Sequence, residues 1–415
     1  MLDNKKIASF ITAKRKNKGL TQQQVAQKLN ISFQAVSKWE NGITFPNTEL
    51  LPELADMLGV TVDEMLRGHE VSDTNFSYSK AGVDIQYTDT LKKEMSNFIS
   101  TSNPRVLNGL GQFASLYDIN FDNITSPVLA LKSEEPGSKQ KLAMEYGFAE
   151  SICHDMINHL VNDVIVMGAT PLAVLDTIVC GNAEAETIKS IVKGVADACR
   201  ENECVLVGGE TSIQPGIIDS GTYVLTSTIA GIIDKEKIVD GSKIAVGDIV
   251  LAVSSNGLHT NGYSLVRMLM DEMPQIKSEK IGDETFIEAI IKPHTAYYSA
   301  IKNLIVDSQF VGMAHITGGG IEDNLKRIIM DGLSAKIDLA KIKTLPLFKY
   351  IKDNGNITDS EMLRTFNCGV GLILVVKPAC VDYVTEYVKK SHNCYPIGEI
   401  MKGEKKVELF SDLLW

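Results

Sequence analysis

Between residues 133 and 163 the chain reads SEEPGSKQKLAMEYGFAESICHDMINHLVND, and most of its conspicuous chemistry is concentrated there. A short polar loop, 133–139, carries Glu134, Gly137 and Lys139. It follows the apolar run 127–131, which reads as a buried strand. The spacing then predicts a helix from about 148 to 167. On it Asp155, His159 and Asn162 stand at i, i+4 and i+7 and share one face, with Asp163 beside them. A loop that offers N–H groups and an ammonium, next to a helix face bearing carboxylates, suits a metal–phosphate group. The N–H groups cradle the phosphate, and the carboxylates hold Mg²⁺, a hard cation that prefers oxygen. The same residues also fit a solvated acidic loop beside a helix with one polar face.

The chain that must position these groups has 415 residues, room for two or three domains. Its 44% hydrophobic and 22% charged content is that of an ordinary globular protein. No apolar run is long enough to span a bilayer, and the N-terminus lacks a signal-peptide pattern. The expectation is a cytoplasmic protein with no membrane partner. Seven scattered cysteines, none at CxxC spacing, suggest buried thiols in a reducing compartment rather than a zinc site. The net charge of -11 is uneven. Residues 1–70 hold nine Lys/Arg and eight Asp/Glu, a balance of +1; the rest holds 32 and 44, a balance of -12. Any binding to nucleic acid therefore belongs to the small N-terminal part.

That part reads as a run of short helices. A basic amphipathic helix over 3–18 stops at Gly19. Thr21 caps a helix over 22–29, Asn30 and Ile31 turn the chain, and Ser32 caps a helix over 33–41. Two more helices are expected over 48–58 and 62–66. Val25, Ala26, Leu29, Ile31, Val36 and Trp39 supply a small core with Leu54 and Leu58. A capped helix, a tight turn and a second capped helix form the helix-turn-helix pattern. On LTQ (20–22), AVSKWENG (35–42) and Pro46, residues 4–67 resemble the phage repressor/Cro-type helix-turn-helix family. The resemblance implies a recognition helix over 33–39, double-stranded DNA as partner, and Gln22, Gln34, Ser37 and Lys38 facing it. Glutamine suits adenine edges, and lysine suits guanine or phosphate. A five-helix module for protein contacts is the other reading.

Beyond a polar linker over 69–76 the texture becomes α+β. Strands are expected over 128–131, 172–179, 204–207, 223–232, 248–253 and 369–376, with long helices over 149–167 and 185–202. Seven short stretches stand in a distinctive order: SYSKAGVDI (77–85), VND (161–163) with PLAVLD (171–176), LVGGET (206–211), NGLHTNGYSLVR (256–267), HITGGGIEDN (315–324) and RTFNCGVG (364–371). Together they resemble the aminoimidazole ribonucleotide synthetase family, the phosphoribosylformylglycinamidine cyclo-ligases of purine synthesis. The expected layout is a helix-turn-helix domain over 1–68, a linker over 69–76, an N-terminal ATP and dimer domain over 77–240 and a C-terminal domain over 241–415.

The resemblance implies a homodimer with a shared β-barrel core that uses ATP and Mg²⁺ to phosphorylate a substrate amide oxygen, after which an amine displaces phosphate and closes the imidazole. Asp155, Asn162 and Asp163, with Glu134, Gly137 and Lys139, would serve the metal and triphosphate. Gly208, Gly209, Glu210 and Thr211 would form an adjoining strand-end turn. His259 and Asn261 would polarise the substrate amide or move its proton, and Thr317, Gly318, Gly319 and Gly320 would bring N–H groups to a phosphate.

The departures from the family pattern gather in one place. Where members usually carry Asp-Gly-Val-Gly-Thr-Lys, this chain has EEPGSK (134–139). Glu135 brings charge towards phosphate and Pro136 has no N–H to donate. Ser79 stands where a lysine is usual, and 108–115 is poorer in glycine. The expectation is therefore a DNA-binding regulator whose enzyme-derived region senses a purine-pathway small molecule or nucleotide, an effector of unknown identity. The alternative is an active cyclo-ligase carrying an accessory DNA-binding domain.

Overall fold

The computed structural model describes residues 3–70, 81–82, 84–99, 102–109, 111–182 and 184–415. They form two compact units, Met1–Ala81 and Gly82–Trp415. In the first, α1 (Asn4–Asn17), α2 (Gln22–Lys28), α3 (Phe33–Glu40), α4 (Leu51–Leu58) and α5 (Val62–Arg67) follow one another. Local chemistry sets their ends. The Asp3 carboxylate accepts from the Lys5 and Lys6 N–H groups, and Thr21 and Thr61 each form a reciprocal capping box, with Gln24 and Glu64. Asn30 adopts φ 52° in the turn between α2 and α3. The stretch expected to be one helix over 48–58 is a 3₁₀ turn, Thr48–Leu50, followed by α4 with Pro52 in its first turn. Ile7, Ile11, Val25, Leu29, Val36, Trp39, Leu54, Leu58 and Met65 fill the core, and Ile31 packs against it half-buried. Arg15 forks onto Glu40, with Nε–Oε1 at 2.5 Å and Nη2–Oε2 at 2.9 Å, and so ties α1 to α3.

The second unit opens with α6 (Ile85–Ile99), a helix the sequence reading did not anticipate. Of the SYSKAGVDI stretch, 77–80 and Val83 lie outside the described residues, Ser79 among them. Next come β1 (Pro127–Glu134), α7 (Lys139–Glu145), α8 (Ala149–Ile165), β2 (Thr170–Cys180), α9 (Ala185–Glu201), β3 (Val205–Ile213) and β4 (Tyr223–Asp234). The four strands make one sheet in the order β1-β4-β2-β3, antiparallel except for β2 with β3. On α9, Ile188, Ile191, Val192, Val195 and Cys199 repeat at helical spacing and are buried. Gly194 lets α9 approach α8, since a Cβ there would lie 3.0 Å from Cys153 Cβ and 3.1 Å from the Glu150 backbone.

Two expectations about this sheet are corrected. The run at 127–131 is not a buried strand: β1 alternates exposed and half-buried residues and leaves Leu129 and Leu131 49% and 69% exposed. It is an edge strand, so a short apolar run there does not imply cover on both faces. The strand also continues to Glu134, and Lys139 opens α7, so the expected polar loop shrinks to 135–138.

After the 235–248 connection the chain builds β5 (Ile249–Ser254), α10 (Tyr263–Glu272), the two-residue strands β6 (Lys280–Ile281) and β7 (Glu284–Thr285), α11 (Phe286–Ile291), α12 (Tyr298–Val306), β8 (Gly312–His315), α13 (Gly320–Lys326) and β9 (Leu333–Asp338). It ends with α14 (Pro346–Gly355), α15 (Asp359–Thr365), β10 (Val370–Val376), α16 (Val381–Val388), β11 (Cys394–Lys402) and β12 (Val407–Phe410). Six strands pair in the order β12-β9-β11-β5-β10-β8. Every residue of β10 is buried, as expected of a strand inside a covered sheet. Among the described residues no helix is long and apolar enough to cross a membrane.

Candidate active site

Helix α8 positions the site. Its polar ladder, Asp155, Asn158, His159, Asn162 and Asp163, lies along one face, as i, i+3/i+4 and i+7/i+8 spacing dictates. Most of these groups do not face open solvent. They hold the irregular segment 292–297. The His294 N–H donates to Asp155 Oδ1 at 2.8 Å, and Asn158 Nδ2 donates to the His294 carbonyl at 2.7 Å. Asn162 Nδ2 donates to the Thr295 carbonyl at 2.8 Å, while its Oδ1 accepts from the Tyr297 N–H at 3.2 Å. Side chains of a helix thus satisfy backbone groups that would otherwise be buried without partners.

At the N-terminal end of the ladder Lys139 and Asp155 form an ion pair with neither side chain exposed at all. The ammonium lies 2.8 Å from both carboxylate oxygens and also donates to the carbonyls of Lys292 at 2.6 Å and His259 at 3.3 Å. Burial pushes the Asp155 carboxyl up and the Lys139 ammonium down, and their mutual attraction opposes both shifts. The lysine expected at a phosphate therefore has its donors committed inside the chain. Gly137, just before it, has φ +64°, and a Cβ there would meet the Thr260 carbonyl at 3.6 Å.

At the C-terminal end the arrangement is more open. Lys132 on β1 reaches Glu134 Oε2 at 3.0 Å and Asp163 Oδ2 at 3.1 Å, with all three side chains part-exposed. His315 at the end of β8 lies 2.7 Å from Asp163 Oδ1 through Nδ1, and its Nε2 is 2.8 Å from His294 Nε2. His159 Nδ1 is 3.1 Å from Thr260 Oγ1. Burial would raise the Asp163 carboxyl, but the His315 hydrogen bond and nearby positive charge hold it well below the ordinary carboxylate range. Burial pushes His159 down to about 4, with the charge of His315 adding to the effect. Glu134 and Asp163 are oxygen donors at a part-open edge that already holds a cationic group, so they fit a hard dication. Asp155, enclosed with Lys139, does not.

His259 sits at the closed back of this region. It is buried, adopts φ 60°, and stacks on His294 with ring centroids 3.9 Å apart. Its Nε2 is 3.1 Å from Thr295 Oγ1, and its Nδ1 has no partner. Gly371 makes room for it, since a Cβ there would lie 1.9 Å from the Tyr297 hydroxyl and 2.6 Å from His259 Cε1. Asn261 is half-exposed, with Oδ1 3.3 Å from where a Gly318 Cβ would stand, so it borders the 317–320 turn. In that turn the Gly319 N–H donates to the Arg364 carbonyl and the Gly320 N–H to Thr317, both at 3.1 Å. Asn324 Nδ2 ties down the Thr317, Gly318 and Gly320 carbonyls.

Gly208, Gly209, Glu210 and Thr211 are not a strand-end turn, as expected, but lie within β3. Parallel pairing with β2 continues through them after a register shift at Val174/Leu175, which the glycines accommodate. Gly209 faces Asp176, and a Cβ on it would lie 1.7 Å from Asp176 Oδ1. Asp176 is buried, and burial pushes it up to about 7. In the helical unit Gln34 and Lys38 are exposed on α3, and Ser37 is half-buried. The Gln22 amide donates to Glu40 Oε2 at 2.7 Å, the carboxylate that also holds Arg15.

The sequence reading missed Lys132, His294, Thr295 and His315 as members of the site. Four of the chain's seven histidines meet here. Only His159 lies on the ladder helix, and no spacing links the other three to it.

Comparison with known proteins agrees with this architecture. Residues 131–233 match the family described as AIR synthase related protein, N-terminal domain, and residues 245–409 match its C-terminal domain. Residues 11–65 match a helix-turn-helix family. The phosphoribosylformylglycinamidine cyclo-ligase of Methylobacillus flagellatus is 40% identical over 304 residues, covering 73% of this chain and 87% of that protein. The enzyme of the same name from Chromobacterium violaceum is 36% identical over 345 residues, 82% of this chain and 100% of its own. Among solved structures, thiamine-monophosphate kinase from Stenotrophomonas maltophilia aligns with a TM-score of 0.58 at 14% identity over 79% of this chain and 96% of its own. The hydrogenase maturation protein HypE in complex with ATP aligns at 0.56 and 14% over 80% and 93%. At these identities the two structures speak for the fold alone.

Proposed function

The chain belongs to the AIR synthase family of phosphoribosylformylglycinamidine cyclo-ligases, and from that premise we propose that its larger unit closes an imidazole ring with ATP while its helical unit binds double-stranded DNA. The observation that carries the ligase reading is the pairing of Glu134, at the end of β1, and Asp163, on α8, around one cationic group at a part-open edge. Magnesium-ATP, when bound, would supply the phosphoryl group that turns the substrate's amide oxygen into a leaving group. Glu134 and Asp163 would hold the dication. His315 keeps Asp163 ionised by its hydrogen bond and is itself oriented by His294. Asn261, half-exposed beside the 317–320 turn, is the residue best disposed to touch the substrate amide. His259 acts from behind, stiffening the 259–261 loop through Thr295 and the His294 stack. Most of the catalysis then rests on positioning and charge stabilisation.

Seven free thiols support a cytoplasmic, reducing setting. Leu129, Leu131 and Leu175, all about half-exposed or more on the four-stranded sheet, support a homodimer in which a second copy covers that face. In the helical unit the exposed Gln34 and Lys38 support groove contacts, and Arg15–Glu40–Gln22 orients the neighbouring amide.

One observation favours a second reading, a DNA-binding regulator that holds a nucleotide or purine-pathway metabolite without turnover: the ammonium of Lys139 is saturated within the chain. One assay separates the two. With formylglycinamidine ribonucleotide, ATP and Mg²⁺, the ligase reading expects substrate-dependent ADP release that falls by about 100-fold or more in Asp163→Asn. No ADP above background from folded protein that still binds ATP leaves the regulator. Binding to a duplex selected from a random pool should weaken in Lys38→Ala and lose its steep salt dependence in part. Unchanged affinity and salt slope would remove Lys38 from the interface.

A further inference from the structure

We propose that Phe33, the first residue of α3, packs its ring on the methyl group of a thymine in the DNA major groove and so sets the base preference at one position of the bound site. Helix α3 sorts its residues into two faces. Val36 and Trp39 are buried in the core, and Ala35 is half-buried. Phe33, Gln34, Ser37 and Lys38 stand at i, i+1, i+4 and i+5 and fall on the other side. Three of those four suit a groove through hydrogen bonds or charge. Phe33 does not. It is 47% exposed, takes no part in the core, and its side chain can neither donate nor accept a conventional hydrogen bond.

Its place in the helix suits a contact with base edges. The Ser32 side chain accepts from the Ala35 N–H at 3.3 Å and starts the helix, which fixes Phe33 as its first residue. Side chains in a helix lean back toward its N-terminus, and that end of a recognition helix is the one that meets base edges. The chemistry of the partner then follows by matching. Phosphate oxygens and the donors and acceptors of the bases lose water against a phenyl ring and gain no hydrogen bond from it. Among the groups that the four bases present in the major groove, the thymine methyl is the apolar one. Gln34, next along the chain, suits an adenine edge, so the two side chains together favour A·T pairs at the leading end of α3. A single exposed apolar side chain is ordinary on a protein surface. This one stands on the face that carries Gln34 and Lys38.

This inference rests on the reading of the helical unit as a binder of double-stranded DNA, and adds which base it prefers and through which side chain. Full-length protein is titrated, at fixed salt, against a duplex selected from a random pool in which each thymine in turn is replaced by deoxyuridine. The exchange removes one methyl and keeps every hydrogen-bonding group of the pair. At one thymine, or one symmetry-related pair of thymines, affinity should fall by about 4-fold per methyl, the worth of one buried carbon. Phe33→Ser should bind the thymine and deoxyuridine duplexes equally at that position, and Phe33→Leu should restore part of the difference. Phe33 is exposed, so both variants keep the fold. Lys38→Ala should weaken both duplexes alike and preserve their ratio. A duplex in which no thymine methyl matters, or a methyl effect that persists at full size in Phe33→Ser, overturns the proposal and leaves DNA binding standing. A pool that yields no bound duplex overturns both.

Discussion

Helix α8 carries a lysine–carboxylate pair at each end of its polar ladder, and the two ends behave differently. Lys139 and Asp155 are shut away from water, and every donor of the ammonium is spoken for. Lys132 bridges Glu134 and Asp163 at a part-open edge where a histidine nitrogen waits 3.6–3.7 Å off. The chemistry is the same, but burial makes the first pair a lock between α7, α8 and the 292–297 segment and leaves the second in contact with solvent. A buried ion is costly to leave unpaired, whereas a solvated one is not.

The strongest way to break this comparison is Lys139→Met. It strands the Asp155 carboxylate in the interior and should cost about 3–5 kcal/mol of the larger unit's stability, read from urea unfolding. A loss under 1 kcal/mol would mean that the buried pair is no lock. A smaller effect concerns a buried acid with no cation beside it. Asp176 is raised by burial to about 7, well above its unfolded value of about 4. The native state therefore holds a proton that the unfolded chain releases, and stability should fall as pH rises from about 4 to about 7 and then level off. Asp176→Asn should flatten that part of the melting-temperature profile. An unchanged slope would locate the dependence elsewhere. The smallest expected effect is Lys132→Met, within about 1 kcal/mol, because its pair is partly solvated. Equal costs at Lys132 and Lys139 would collapse the distinction between the two ends.

The helical unit was legible almost residue by residue because its signals are local. Thr21 and Ser32 cap the helices they precede, and the core positions 25, 26, 29, 36 and 39 are buried as their spacing requires. Helix α8 and the shared face of Asp155, His159 and Asn162 were equally readable. Strand β1 was misjudged because a short apolar run does not reveal whether it lies at an edge. The glycines at 208–209 were misplaced in a turn because glycine serves bulges and turns alike. Most of the six-stranded sheet was not anticipated, since its order, β12-β9-β11-β5-β10-β8, joins strands that are distant along the chain.

The site divides in the same way. From the amino-acid order alone follow the helix-turn-helix and the ladder on α8, because each depends on neighbours within a turn or two of backbone. The tertiary structure alone decided that His294 and His315 join His159, that Lys139 is sealed, and that Lys132 remains reachable. Burial is set by chain segments more than a hundred residues away, and whether a charge is a lock or a ligand site depends on that burial rather than on the residue's identity.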